Sequence, residues 1–413
     1  MLRTESIRWR GRDATRLENG VVELIVLTES GHLAKRWLLD KDSFPSQNVL
    51  WEAPWMTSCS SGNRLEELSE TGGFTGHGIC LDYFGALSPD EAAADLPIHG
   101  EAATERWNVH DSVNEENATC QWNVQLSGAR LRLEREIHLR KQESVVFMEE
   151  TVKNDRDAVH ACHWVQPATF APPFLNPAES TLAVSATRGI TSPSDYEGAS
   201  LLGNNREFSW PHAPIQRADE TNVDLSQPFA VKGRGFLATL QLDPRVKFLL
   251  AMNWKLRLRV GYCFRRSDFP WMAIWEENCA GSSGPWNGKV QECGMEFGAT
   301  PLPLGREETF RRGDIFGTPS WCVIPANGKR TTRYFVFLFA IPAGIQSIQN
   351  VEASAMPSFS LMRMPGSCCS IPAHGCEHFL APDETQDQGD SCHLENLLSK
   401  VSTTDSDGMG TIC

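Results

Sequence analysis

Period-two alternation constrains this chain more than any other feature. In ARLRLEREIHL, residues 129–139, the apolar Leu131, Leu133, Ile137 and Leu139 alternate with Arg130, Arg132, Glu134, Glu136 and His138. That is the pattern of a strand with one buried face, and only Arg135 breaks it. GVVELIVL (20–27), SVVFMEETV (144–152), GFLATLQL (235–242), VKFLLAMN (246–253) and RYFVFLFAI (333–341) read as further strands, while helical periodicity is scarce. Turn signals such as DPR (243–245) and ANGK (326–329) separate strands at hairpin distances, which predicts a large antiparallel all-β sandwich. The longer segments, 57–108 and 264–306, are rich in Gly, Pro, Trp and His, and loops of that kind on a rigid sheet carry sites.

No fixed-period repeat and no interior low-complexity linker divides the chain, so residues 1–350 are expected to form one domain. Residues 351–413 are polar, rich in small residues and aperiodic, the composition of a disordered tail. Of the 13 cysteines, those between 59 and 322 are scattered singly and read as buried free thiols. The remaining five, Cys368, Cys369, Cys376, Cys392 and Cys413, fall in the tail. There HGCEH (374–378) offers metal-ligating residue types without the paired spacing of zinc modules, so no metal is expected.

A net charge of −14, with the basic residues dispersed, excludes a phosphate backbone or an anionic membrane surface as the natural partner. No apolar run approaches the ~20 residues of a membrane helix. The first 20 residues lack the apolar core of a signal peptide and are too acidic for a transit peptide, which makes the cytosol the expected compartment.

Several enzyme signals are missing: GxSxG, GxxxxGK[ST], HExxH and GxGxxG between strand and helix. What remains is a dispersed set of His, Glu and Trp, with 13 Trp against 4 Tyr. Indoles stack on the C–H faces of sugar rings, although they also fill large β cores. In PWMAIW an extended chain puts Trp271, Ala273 and Trp275 on one face, and Trp286 follows in GPWNGK. In VQECGMEF the same period sets Glu292, Gly294 and Glu296 against Cys293, Met295 and Phe297. Glu296, a carboxyl beside an apolar face, suits a general base, and a strand-end salt bridge is the alternative.

LPIHGEA (96–102), RLEREIHLRKQESVVFMEETVKN, WVQPATFAPPFL and PWNGKVQECGMEFGATPLP occur in an order that resembles the galactose mutarotase-like superfamily, the aldose 1-epimerases and their relatives, over roughly residues 15–345. The resemblance implies a supersandwich that binds a monosaccharide on one concave sheet and interconverts its anomers without a cofactor. It carries the catalytic glutamate onto Glu296 as base and the HG histidine onto His99 as acid. His77 and Asp82 in the glycine-rich GHGICLDYFG, Gln166, Trp271, Trp275 and Trp286 are candidate sugar-binding residues.

One departure stands out: where such epimerases carry a second histidine, WVQPATF has Pro167. His163 shares the face of Pro167 but lies four residues away, about 13 Å along a strand, and Gln166 faces the other way. A non-catalytic carbohydrate-binding protein is therefore the competing expectation. Another sugar enzyme, a lyase or a sugar-phosphate epimerase, is the third. The last would need a phosphate-binding arginine cluster, for which Arg265 and Arg266 are the only adjacent interior-loop pair.

Overall fold

The computed structural model describes residues 2–38, 48–57, 74–85, 87–94, 96–196, 198–216, 221–243, 247–341, 350–353, 358–362, 368–372 and 376. Its body is two large antiparallel sheets packed face to face. The first has ten strands in the order Asn222–Asp224, His212–Pro214, Glu207–Ser209, Ala186–Thr191, Arg234–Leu242, Trp271–Asn278, Gln291–Gly298, His160–Phe170 and Cys322–Ile324, with Cys80–Asp82 also paired to His160–Phe170. The second has eight, in the order Ser180–Val184, Lys247–Asn253, Leu258–Phe264, Lys329–Ala340, Val145–Asn154, Leu131–Arg140, Asn117–Leu126 and Asn108–Val113. An N-terminal meander of four strands, Arg3–Trp9 to Leu33–Leu38, reaches the first sheet through mutual backbone hydrogen bonds between Leu33 and His77.

The alternation read from the sequence does the packing. Leu131, Leu133, Ile137 and Leu139 all join the core between the sheets, where they meet Trp164, Ala168, Phe170, Met295 and Phe297 of the opposite layer. Arg135 is buried there too. It donates from Nε to Glu150 Oε1 at 2.7 Å and from Nη1 to the Gly31 carbonyl at 2.5 Å. A buried charge is tolerated when it is paired and hydrogen-bonded, and that is how the interrupted apolar face is accommodated.

The unbroken apolar runs have a different cause. Phe147, Phe248, Leu250, Phe335 and Phe337 form a second cluster that includes Cys376. Lys247–Asn253, Leu258–Phe264 and the adjoining parts of Lys329–Ala340 and Val145–Asn154 are therefore buried on both faces, while Leu131–Arg140, Asn117–Leu126 and Asn108–Val113 keep an open one. Asn350–Ala353, Ser358–Met362 and Cys368–Pro372 pair as a three-stranded antiparallel sheet. This part of the 351–413 segment therefore departs from the disordered tail its composition suggests: the missing period reflects short strands, and Cys376 is buried. The histidines of HGCEH and residues 377–413 lie outside the described residues. Among the described residues no helix is long and apolar enough to cross a membrane.

Candidate active site

Register decides which side chains meet on the outer face of the ten-stranded sheet. The pairings Pro167↔Glu296 and Ala273↔Glu296 put these three residues in one transverse row, and Thr169, Gly294 and Trp275 form the next. On the other side of Pro167 and Glu296, Val165, Gly298 and Trp271 make a third row. Cys293, Met295 and Phe297 point into the core, as alternation requires.

Glu296 thus rises from a floor whose neighbours along its own strand are glycines. A Cβ on Gly294 would come within 2.9 Å of Glu296 Oε1, so the carboxyl lies over Gly294. It is 8% exposed, and burial pushes it up to about 8. Trp275 flanks Gly294, half-buried and held by a 3.1 Å hydrogen bond from its Nε1 to Tyr196 Oη. Trp51 aligns on the opposite flank, its backbone N–H donating to the Thr169 carbonyl.

The HG pair is pinned beside this floor. His99 and Gly100 both have positive φ, +68° and +84°, and a Cβ on Gly100 would lie 1.8 Å from the Leu81 carbonyl oxygen. Only glycine passes there. Leu81 N–H donates to the His99 carbonyl, tying the turn to the strand Cys80–Asp82. His99 Nδ1 accepts from the Gly85 N–H at 3.3 Å and faces Cys80 Sγ at 3.3 Å. An amide can only donate, so Nδ1 is the acceptor and the ring proton sits on Nε2. Burial lowers His99 to about 4, which leaves a neutral imidazole presenting an Nε2–H.

The other sequence candidates are distributed less evenly. His77 and Gln166 do not share the face of Glu296: they face the core, where His77 Nε2 meets Gln166 Oε1 at 3.2 Å and His77 Nδ1 meets Tyr262 Oη at 3.3 Å. His77 pairs with Ala168, a core-facing residue, so period two turns it inward. Asp82 is buried at the sheet edge, accepting from His160 Nε2 at 2.7 Å with Arg306 Nη1 at 3.2 Å. Trp271 lies on the Glu296 side but is fully buried, its indole donating to the Pro319 carbonyl at 2.7 Å. Trp286 donates to Glu292 Oε1 at 3.0 Å and packs on Trp55. Arg265 is closed on Asp268 at 2.9 Å, and Arg266 reaches Thr318 at 3.4 Å.

Cys80, Phe74, Trp51 and His32 were not legible as site neighbours. His32 and Phe74 have ring centroids 5.1 Å apart, and Phe74 and His99 5.2 Å, yet no motif marks either His32 or Phe74 in the sequence. Among the described residues no group of three or more His, Cys, Asp and Glu side chains could hold a metal.

No protein-family model matches the sequence, and no curated protein matches it either. Solved structures do. A candidate aldose 1-epimerase from Klebsiella pneumoniae is similar with TM-score 0.58 and 13% identity over 80% of each chain. A galactose mutarotase-like protein from Clostridium acetobutylicum is similar with TM-score 0.56 and 12% identity, over 82% of this chain and 98% of that one. A galactose mutarotase related enzyme from Lactobacillus acidophilus gives TM-score 0.50 and 13% identity over 81% and 100%. The chain has the galactose mutarotase-like fold.

Proposed function

We propose that the groove over Glu296 binds a hexose or related monosaccharide and interconverts its anomers. The observation that carries this reading is Glu296 itself: a buried carboxyl with no cation beside it among the described residues, in rows with the small residues Ala273, Gly294 and Gly298, next to Trp275 and Trp51, with Cys80 linking it to His99. Glu276 and Glu292 are also buried and raised, but each accepts a hydrogen bond, from the Phe229 N–H and from Trp286 Nε1, whereas Glu296 accepts none among the described residues. An unpaired buried carboxyl costs stability, and a ligand that uses it offsets that cost.

Opening a hemiacetal ring removes a proton from the anomeric oxygen and delivers one to the ring oxygen as the C1–O5 bond breaks and C1=O1 forms. After rotation about the C1–C2 bond, closure on the other aldehyde face reverses both transfers. Burial favours uncharged partners, so near neutral pH Glu296 starts protonated and gives its proton to the ring oxygen. On closure it takes that proton back; this differs from the role the resemblance implies for Glu296, that of the base which accepts the anomeric proton. His99, with Nδ1 engaged by donors, serves as a hydrogen-bond donor to a sugar oxygen rather than as an acid. Trp275 and Trp51 supply apolar walls for the ring.

Pro167, directly opposite Glu296, favours a second reading: a sugar-binding protein without turnover. Polarimetry of fresh α-glucose and α-galactose separates the two, with calorimetry on the same sugars. The epimerase reading expects wild type to accelerate mutarotation and Glu296→Gln to lose roughly two to four orders of magnitude in rate with affinity kept within about tenfold. A wild type that binds a hexose but never exceeds the buffer rate makes the protein a binder.

A further inference from the structure

We infer that His32 supplies the second imidazole of the groove, in the row where Pro167 stands without one. The inference rests on the epimerase reading and extends it to the residue that takes the anomeric proton.

The backbone pairing of Leu33 with His77 sets His32 opposite Gly78, and the Gly78 N–H donates to the Pro167 carbonyl. His77 and Ile79 face the core, so Gly78 and its partner His32 lie on the groove side. His32, Gly78, Pro167 and Glu296 therefore form one transverse row on one face. The missing side chain of Gly78 makes room for the ring: a Cβ there would come within 3.0 Å of His32 Nε2. The imidazole thus lies over the strand next to Pro167. At about 4.8 Å per strand, it is roughly 10 Å from the backbone of Glu296, a gap that a pyranose ring with hydrogen bonds at both ends fills.

The chemistry of the ring agrees. His32 is fully buried, and neither Nδ1 nor Nε2 has a hydrogen-bond partner. His77 and His160, by contrast, are held by hydrogen bonds. His163 also lacks partners but stands about 13 Å along its strand from Pro167, so among the described residues His32 is the unpartnered imidazole in the row of Glu296. Among the described residues Phe74, half-buried, packs against both His32 and His99, so a sugar that reaches His32 displaces Phe74. The proton balance closes: on opening, the anomeric O–H gives its proton to the neutral His32, the C1–O5 pair goes to the ring oxygen, and that oxygen takes the proton of Glu296. Closure returns both protons.

Two variants separate chemistry from packing. His32→Phe keeps an aromatic ring against Phe74 and Gly78, and His32→Asn keeps a polar one-ring-sized group. Both are expected to keep a melting temperature near wild type and to lose at least about a hundredfold in turnover, with KM within a few-fold. Restoring an imidazole in the same row, by adding Pro167→His to His32→Asn or by adding free imidazole to His32→Ala, is expected to recover at least tenfold of the rate. Wild-type turnover in both single variants overturns the inference and leaves the epimerase reading standing. Loss without recovery by either route assigns His32 to packing and also overturns it. A wild type that accelerates no sugar overturns both through the epimerase reading.

Discussion

The strand His160–Phe170 has two faces, and they treat buried polar groups differently. On the core face, Glu150 of the facing sheet receives Arg135 at 2.7 Å, Gln166 at 2.6 Å, Tyr334 at 3.2 Å and Trp164 at 3.3 Å, and Gln166 passes the network on to His77. On the Glu296 face, both nitrogens of His32 and of His163, and Glu292 Oε2, are buried without a partner among the described residues, and no described cation stands beside Glu296. The sequence spends similar residue types on both faces. Incomplete hydrogen bonding is not confined to one face, since Arg135 Nη2, Trp122 Nε1 and Thr332 Oγ1 are also buried without a partner among the described residues; what sets the Glu296 face apart is that a carboxyl and an imidazole are left open in one transverse row.

The sharpest way to break this comparison is to damage the satisfied face. Arg135→Met leaves Glu150 buried without its cation, and the expected loss is about 3–5 kcal/mol of unfolding free energy, read by urea titration. If the loss is below 1 kcal/mol, the network is not structural and the contrast fails.

Gly100→Ala comes next. It forces a side chain into a left-handed backbone position against the Leu81 carbonyl, so about 1–3 kcal/mol of strain and a displaced His99 are expected, seen as a lower melting temperature together with lost turnover.

Glu296→Gln tests the open face and should do the reverse of Arg135→Met. Its carboxyl is held up at about 8, so between its ordinary range and pH 8 the folded protein keeps a proton that the unfolded chain has lost. Stability from this group is therefore greatest at low pH and falls as pH rises towards 8. The Gln variant is expected to match wild type within about 1 kcal/mol near pH 5 and to be the more stable of the two at pH 9. Wild-type turnover should also fall as pH rises through about 8, because the proton given to the ring oxygen is gone. A rate that rises across that range would assign Glu296 to the base role alone. Trp275→Ala is the mildest test: about 1 kcal/mol of sugar affinity by calorimetry, with little change in melting temperature.

Which residues share a face with Glu296 was legible in advance, for a local reason. Glu296, Gly294 and Glu292 share a face, as do Trp271, Ala273 and Trp275, and this needs only the period-two geometry of one strand. The HG turn was legible because glycine marks a backbone position that other residues avoid. That His77 and Gln166 face the core was not legible, because the direction of an isolated short segment depends on which strand it pairs with. His32 carried no signal for the same reason: it sits in an unmarked stretch, and what makes it a neighbour of Pro167 is a pairing with residue 77, far along the chain.

By itself, then, the sequence determined the all-β class, the identity of the main strands and the faces within each, because alternation and turn chemistry act between residues a few positions apart. Tertiary structure alone decided which faces became core and which became groove, that Arg135 and Glu150 neutralise each other, that Cys376 is buried on the eight-stranded sheet, and that an imidazole two strands away leans across a glycine towards the row of Glu296. Those are matters of register between distant segments, and a shift of one residue in any of them would turn every side chain to the opposite face.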